Sequence, residues 1–298
     1  MVRVKSLGIR VCKLRLRMLG LLLCFLMAVT DVLAQSQMPT LRPKVGLVLG
    51  GGGAKGAAEV GVLKVIEELH IPIDYIAGTS IGAILGGLYS TGYRAEQLDS
   101  LFRVGLWKTD NVLKLLDQLT GTGEWVDFDE LPIPFRCVAA DFDTQEEVVF
   151  RHGNLALALR ASMAIPGAYK PVLIDGKTLV DGGMVNNLPV DVVKAMGADI
   201  VIAIDLTQNK HKTREFSLKD VTGIGGIFHW LVSRPDWKKY NENRAAADVY
   251  INPPLKGYSA ASFSEKSIDA MMEIGERAAR KQIRELKQVA ERVNSVGM

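Results

Sequence analysis

The chain has 298 residues, 48% of them hydrophobic and 23% charged, a composition that supports a large folded core and excludes a disordered or collagen-like chain. Its 36 basic and 33 acidic residues give a formal net charge of +3, but Arg3, Lys5, Arg10, Lys13, Arg15 and Arg17 all fall in the first 34 residues, against one acid, Asp31. Without that segment 30 basic groups face 32 acidic ones, a net of −2, so charge points away from a nucleic-acid partner.

The basic stretch to Arg17 runs into an apolar segment, Met18 to Thr30, and then into Val32-Leu33-Ala34 before Gln35. That order predicts a secretory signal over residues 1–34, with an exported product in the periplasm, at the outer membrane or outside the cell. The apolar run is short for a membrane span, which needs about 20 residues. Cys12 and Cys24 belong to this segment, which leaves Cys137 alone in an apolar run (FRCVAA), where a small buried hydrophobe is expected and a disulfide is not.

Residues 35–43 form a polar linker. Lys44 to Leu49 reads as a buried strand, interrupted by the glycine run Gly50 to Gly53. Ala57 to His70 has helical spacing at Val60, Leu63, Ile66 and Leu69. Tyr75 to Ala77 is a short strand, followed by Gly78-Thr79-Ser80-Ile81-Gly82 and a helix of small residues to about Ser90. This rhythm of strand, glycine turn and helix predicts a three-layer α/β/α domain with a mainly parallel central sheet, from about residue 40 to 298.

Beyond it, Leu98 to Leu119 carries leucines and aromatics on helices, and Phe135–Ala140 with Glu147–Phe150 reads as a hairpin around Asp141–Gln145. Asn154 to Met163 is helical, Thr178 to Val180 is a strand running into Asp181-Gly182-Gly183, Val190 to Met196 is a helix and Ile200 to Leu206 is a buried strand. Residues 207–225 read as a loop. Phe263 to Val293 reads as one long amphipathic helix, within a helical C-terminal part spanning about residues 226–298.

Three stretches carry chemistry. Gly78-x-Ser80-x-Gly82, after a strand and before a helix, has the context of a nucleophile elbow, in which flanking glycines relieve crowding around a serine at the tip of a tight turn. Gly50-Gly51-Gly52-Gly53-Ala54-Lys55-Gly56 presents backbone N–H groups without Cβ atoms in the way, as an oxyanion demands, with the charge of Lys55 nearby. It is not a P-loop, because no Ser or Thr follows Lys55. It does match G-x-G-x-x-G at Gly51, Gly53 and Gly56, with Asp74 near the spacing of a ribose contact, so a dinucleotide-binding oxidoreductase is a rival reading. Asp181-Gly182-Gly183 is the third stretch: either a plain turn or a carboxylate base. The four histidines offer no obvious base, since His70 ends a helix, His152 precedes Gly153, His211 lies in the charged loop and His229 sits beside Trp230. No cluster has metal-ligand spacing, and no metal or cofactor is expected.

Together the glycine loop, the GTSIG elbow and the DGG turn, in this order over about residues 44–206, resemble the patatin-like phospholipase family. ASMAIPGAYKPV (Ala161–Val172) and DGGMVNNLPVDVV (Asp181–Val193) are similar to the family's stretches before and around its aspartate. The resemblance implies a hydrolase domain over residues 44–298. It implies Ser80 as nucleophile and Asp181 as base without histidine, and Gly51, Gly52 and Gly53 as oxyanion donors. Gly78, Gly82, Gly182 and Gly183 are then supporting residues, as is Lys55, which stands where the family often has arginine. Phospholipids, lysophospholipids or other acyl glycerides are the implied substrates, cut through an acyl-serine. Leu106, Trp107, Leu113 and Leu116, or Ile227, Phe228, Trp230, Leu231 and Trp237, are candidates to line an acyl groove or make transient contact with a membrane surface, although buried packing is the blander reading. A catalytically silent binding domain on the same scaffold is a third reading.

Overall fold

The computed structural model describes residues 42–104, 112–208 and 237–295. The predicted signal segment and linker to residue 41 therefore lie outside the described residues, as do most of the predicted 207–225 loop and the apolar residues 227–231.

The strands are β1 (Val45–Leu49), β2 (Tyr75–Thr79), β3 (Val126–Asp127), β4 (Phe135–Asp141), β5 (Glu147–Phe150), β6 (His152–Gly153), β7 (Val172–Ile174), β8 (Lys177–Asp181), β9 (Ile200–Ile204) and β10 (Val249–Ile251). The main sheet among the described residues has the order β10-β9-β1-β2-β4-β8-β7, with β5 also paired to β4. From β10 to β4 every pairing is parallel, whereas β5 and β8 pair antiparallel with β4, and β7 antiparallel with β8. The sheet is mainly parallel, as predicted, with an antiparallel extension on one side.

Helices α1 (Ala57–Glu68), α2 (Ile81–Ser90), α3 (Ala95–Val104), α4 (Val112–Thr120), α5 (Leu155–Ser162), α6 (Val190–Ala195), α7 (Trp237–Ala246), α8 (Glu265–Lys281) and α9 (Ile283–Asn294) cover it. Parallel strands have to be shielded on both faces, and the side chains of β1 show how. Val45, Leu47 and Leu49 join the large core under α1, α2 and α8, while Val48 joins a second core with Val190, Val193 and Tyr240 of α6 and α7. The result is three layers, α/β/α.

Helix α1 is wrapped on nearly all sides rather than along one stripe, because α8 crosses it at two glycines. A Cβ at Gly61 would overlap the Met272 carbonyl, and one at Gly275 the Ala58 carbonyl. The predicted single C-terminal helix is two helices, parted at Gln282 (φ −100°, ψ 21°). The stretch Lys281-Gln282-Ile283 contains neither Gly nor Pro. Packing imposes the break, which lets Leu286, Val289 and Val293 of α9 bury after α8 has already buried Met271 and Ala279.

Candidate functional site

In an open, mainly parallel sheet, ligands gather beyond the carboxyl ends of the strands, where connections diverge to opposite sides. Here β1 lies between β2 and β9, and the glycine loop leaves its carboxyl end. Ser80 follows the carboxyl end of neighbouring β2 at φ 57° and ψ −122°, a strained conformation for a residue with a side chain, of the kind retained where the backbone must present one atom. The glycines around it are there for close approach. A Cβ at Gly78 would overlap the Gly82 carbonyl, and one at Gly82 the Leu49 carbonyl.

Asp181 arrives from the other direction. β8 runs antiparallel to β4 and pairs Asp181 with Ala139, one residue past the Val138 that pairs with Thr79. That register brings the end of β8 to the end of β2. Ser80 Oγ donates to Asp181 Oδ2 at 2.6 Å, and Gly183 N donates to Asp181 Oδ1 at 2.8 Å. Both Ser80 and Asp181 are buried. Burial pushes the Asp181 carboxyl up to about 6, against the lowering effect of the hydrogen bonds from Ser80 and Gly183. A Cβ at Gly182 would overlap the Val138 carbonyl, so the turn after the carboxylate hugs β4.

The glycine loop is pinned on both flanks. Gly50 N donates to Ile204 O at 3.1 Å, Gly51 N to Asn187 O at 3.3 Å and Ala54 N to Ala260 O at 2.8 Å. The N–H groups of Gly52 and Gly53 have no acceptor among the described residues. Gly53 needs its glycine twice over, at φ +58° and with the Ala260 carbonyl 2.6 Å from where a Cβ would stand. The loop faces the serine: a Cβ on Gly51 would lie 3.2 Å from Ser80 Cβ. Lys55 is half-buried, and burial lowers its ammonium, opposed by the charge of Asp205.

Asp74, required by the dinucleotide reading, sits at the opposite end of β1 and β2. It accepts from Arg42 at 2.7 and 2.8 Å, from Lys44 Nζ at 3.2 Å and from Val45 N at 2.8 Å. His70 and His152 are both exposed and touch neither Ser80 nor Asp181; His152 stacks on Trp125 with centroids 6.1 Å apart. His211 and His229 lie outside the described residues. Cys137 is buried, with its thiol pushed up to about 12 by burial. Of the apolar residues named for a groove, Leu116 is buried in the core, Leu113 is exposed and Trp237 packs edge-on against Tyr240. Leu106, Trp107, Ile227, Phe228, Trp230 and Leu231 lie outside the described residues.

Three further residues shape the site. Ser162 Oγ accepts from Ser80 N at 2.8 Å and donates to Val138 O at 2.6 Å, locking the elbow to β4. The Asn186 carbonyl accepts from Thr79 Oγ1 at 2.7 Å, and Asn187 Nδ2 donates to Gly51 O at 3.2 Å. Sequence reading covered these residues only as parts of ASMAIPG and DGGMVNN; a polar Asn-Asn pair five residues after the aspartate was the available signal.

A three-layer α/β/α fold with a serine–aspartate pair beside a glycine loop defines the class. Residues 47–194 match the patatin-like phospholipase family model, and the chain belongs to that family. It is 30% identical over 285 residues to mouse (Mus musculus) patatin-like phospholipase domain-containing protein 7, covering 78% of this chain and 20% of that protein. It is 36% identical over 180 residues to an uncharacterised NTE family protein of Mycobacterium tuberculosis, covering 55% and 49%. It is 29% identical over 283 residues to Lysophospholipase nte1 of Aspergillus fumigatus, covering 82% and 18%. The chain thus spans between about a fifth and a half of these relatives. Among solved structures, VipD from Legionella pneumophila shares the fold at 13% identity, with a TM-score of 0.50 over 82% of this chain and 67% of that one.

Proposed function

We propose that this protein is a serine acyl hydrolase that cleaves carboxylic esters of phospholipids or related lipids through a Ser80–Asp181 dyad. The observation that carries the reading is the 2.6 Å hydrogen bond from a strained, buried serine to a buried carboxylate with no histidine alongside among the described residues. Membership of the patatin-like phospholipase family and likeness to a protein named a lysophospholipase support lipid esters as the substrate class.

Asp181 Oδ2 takes the Ser80 proton as Oγ attacks the ester carbonyl carbon. The tetrahedral oxyanion falls to the N–H groups of Gly52 and Gly53, because Gly51 N already donates to Asn187. The C–O bond breaks, the proton passes from Asp181 to the leaving alkoxide and an acyl-serine remains. Water then attacks, Asp181 accepts its proton, and the fatty acid leaves as that proton returns to Ser80 Oγ. An ordinary aspartate is a poor base near neutrality; a carboxylate raised to about 6 is better matched to that task and still ionised at pH 7.

A fluorophosphonate probe tests the reading. Labelling should occur at Ser80 and disappear in Ser80→Ala. Binding of a nicotinamide or flavin nucleotide without labelling would replace it with the oxidoreductase, and neither result with a silent binding domain. Export after removal of residues 1–34 is part of the proposal: N-terminal sequencing of the mature protein should begin near Gln35, and retention of Met1 would refute it.

A further inference from the structure

The strap that follows the base touches all three catalytic elements. It begins with Asp181 itself, its Asn186 carbonyl holds Thr79 beside the nucleophile, and Asn187 holds the glycine loop. Asn187 grips Gly51 from both sides of one residue, its carbonyl accepting Gly51 N–H at 3.3 Å and its Nδ2 donating to Gly51 O at 3.2 Å. Nδ2 also reaches Thr207 Oγ1 at 3.4 Å, which ties the loop to the exit of β9. The amide can face only one way, because a carbonyl such as Gly51 O only accepts.

That orientation carries a penalty. Asn187 Oδ1 is buried and has no hydrogen-bond partner among the described residues. It is pressed towards the site, since a Cβ on Gly51 would overlap it and one on Gly183 would stand 2.9 Å away. A buried acceptor left unsatisfied opposes folding. A residue chosen for stability alone would not keep one beside Asp181, whereas a residue kept for its donor would.

We propose that Asn187 is a positioning residue for the reaction. By fixing both backbone groups of Gly51, it aims the next two N–H groups, those of Gly52 and Gly53, at the oxyanion. The inference rests on the acyl-serine reading above and assigns Asn187 no direct contact with substrate.

The test uses the full chain and p-nitrophenyl butyrate. Asn187→Ala should lower kcat by about ten- to hundred-fold, the size of effect expected when reacting groups are misplaced by a fraction of an ångström to an ångström. KM should stay within about three-fold, and the pH midpoint of activity near the wild-type value, because Asp181 keeps its own hydrogen bonds. The melting temperature should hold to within about 3 °C, because the lost bonds are offset by removal of the orphaned oxygen. Asn187→Asp keeps the shape but turns an acceptor on Gly51 O, and it should be slowed as well. Wild-type kcat in either folded variant would overturn the inference, as would a loss of kcat that merely follows a large fall in melting temperature. Failure of wild-type Ser80 to take a fluorophosphonate would instead sink the serine mechanism; labelled Ser80 with an unimpaired Asn187→Ala would sink this inference alone.

Discussion

The two halves of the sheet reach the site by different routes. The parallel half, β10 to β4, delivers the glycine loop and Ser80 by the same device: a strand ends, glycines turn the chain, and a helix begins. The antiparallel extension delivers Asp181 by register, since Ala139↔Asp181 beside Val138↔Thr79 sets the carboxylate next to the serine. Local chemistry builds the first kind of placement. Strand pairings, Thr79 with Val138 and Ala139 with Asp181, build the second, and through them two residues 101 positions apart meet, so Ser80 and Asp181 come together only when both halves have docked.

The sharpest way to break this comparison is to remove one contribution from each half. Ser80→Ala takes away the proposed nucleophile and Asp181→Asn the proposed proton acceptor. Each should reduce kcat on a short-chain ester by at least about 10²–10⁴-fold, and the double variant should lose little more, since the two act as one unit. Replacing His70 or His152, which lie away from the dyad, should leave most activity. A folded Asp181→Asn enzyme with near-full activity would put the base elsewhere.

The burial of Asp181 has consequences for both rate and stability. Activity should fall about tenfold per pH unit below about 6, because the protonated carboxyl cannot accept the serine proton. In the unfolded chain the same group ionises near its usual 3.8, so between 3.8 and about 6 the folded state holds the extra proton. Stability contributed by this residue therefore falls as pH rises through that window. Asp181→Asn should then be more stable than wild type at pH 8, by at most about 3 kcal/mol, and no more stable at pH 3.5. Urea unfolding at the two pH values checks the sign, and equal stability differences at both would show that the carboxyl is not strained by burial.

Glycines also differ between the halves. Gly82 in α2 lies against the Leu49 and Gly50 carbonyls, so Gly82→Ala should cost about 1–3 kcal/mol through overpacking and disturb the elbow. Gly176, in the β7–β8 turn at φ +76°, has open space where a Cβ would stand, so Gly176→Ala should cost only about 1 kcal/mol of backbone strain and leave kcat unchanged. Equal losses would erase the contrast between close packing at the elbow and plain turn geometry at the extension.

The same contrast explains what could be read from the chain alone. Ser80 and the glycine loop stand in contiguous motifs, and a buried parallel strand announces itself as a continuous apolar run such as VGLVL or IVIAI. Strand β7 is three residues long and partly exposed, and β10 is equally short, so neither carries a pattern that periodicity can detect. The hairpin at Asp141–Gln145 was legible because strand residues flank polar turn residues on both sides, and Asn154 caps α5 by accepting from Leu157 N. The break at Gln282 was not, because tertiary packing sets it. Nor was the grip of Asn187 on Gly51, which joins positions 136 residues apart.

An effect on stability alone is expected at Asp74, at the far end of the parallel half. Its carboxylate takes two bonds from Arg42, one from Lys44 and one from Val45 N–H, and its side chain is 9% exposed. Burial alone would raise its carboxyl, but these partners outweigh it and hold the group below its usual value. The stability it contributes is therefore present above the usual aspartate range and lost as pH falls through its lowered value. Asp74→Ala should cost about 1–2 kcal/mol at pH 7, since part of the pairing is with cations that stay in contact with water and part is a backbone N–H left unpaired. It should leave kcat and KM unchanged, because the carboxylate stands at the amino-terminal ends of β1 and β2, a strand length away from Ser80. This separates the two readings of the glycine run: a ribose-binding aspartate would lose ligand affinity on substitution, whereas a latch at the foot of the sheet loses only stability. Urea unfolding paired with ester hydrolysis measures both, and a large loss of activity in a fully folded Asp74→Ala variant would tie the two ends of the parallel half together.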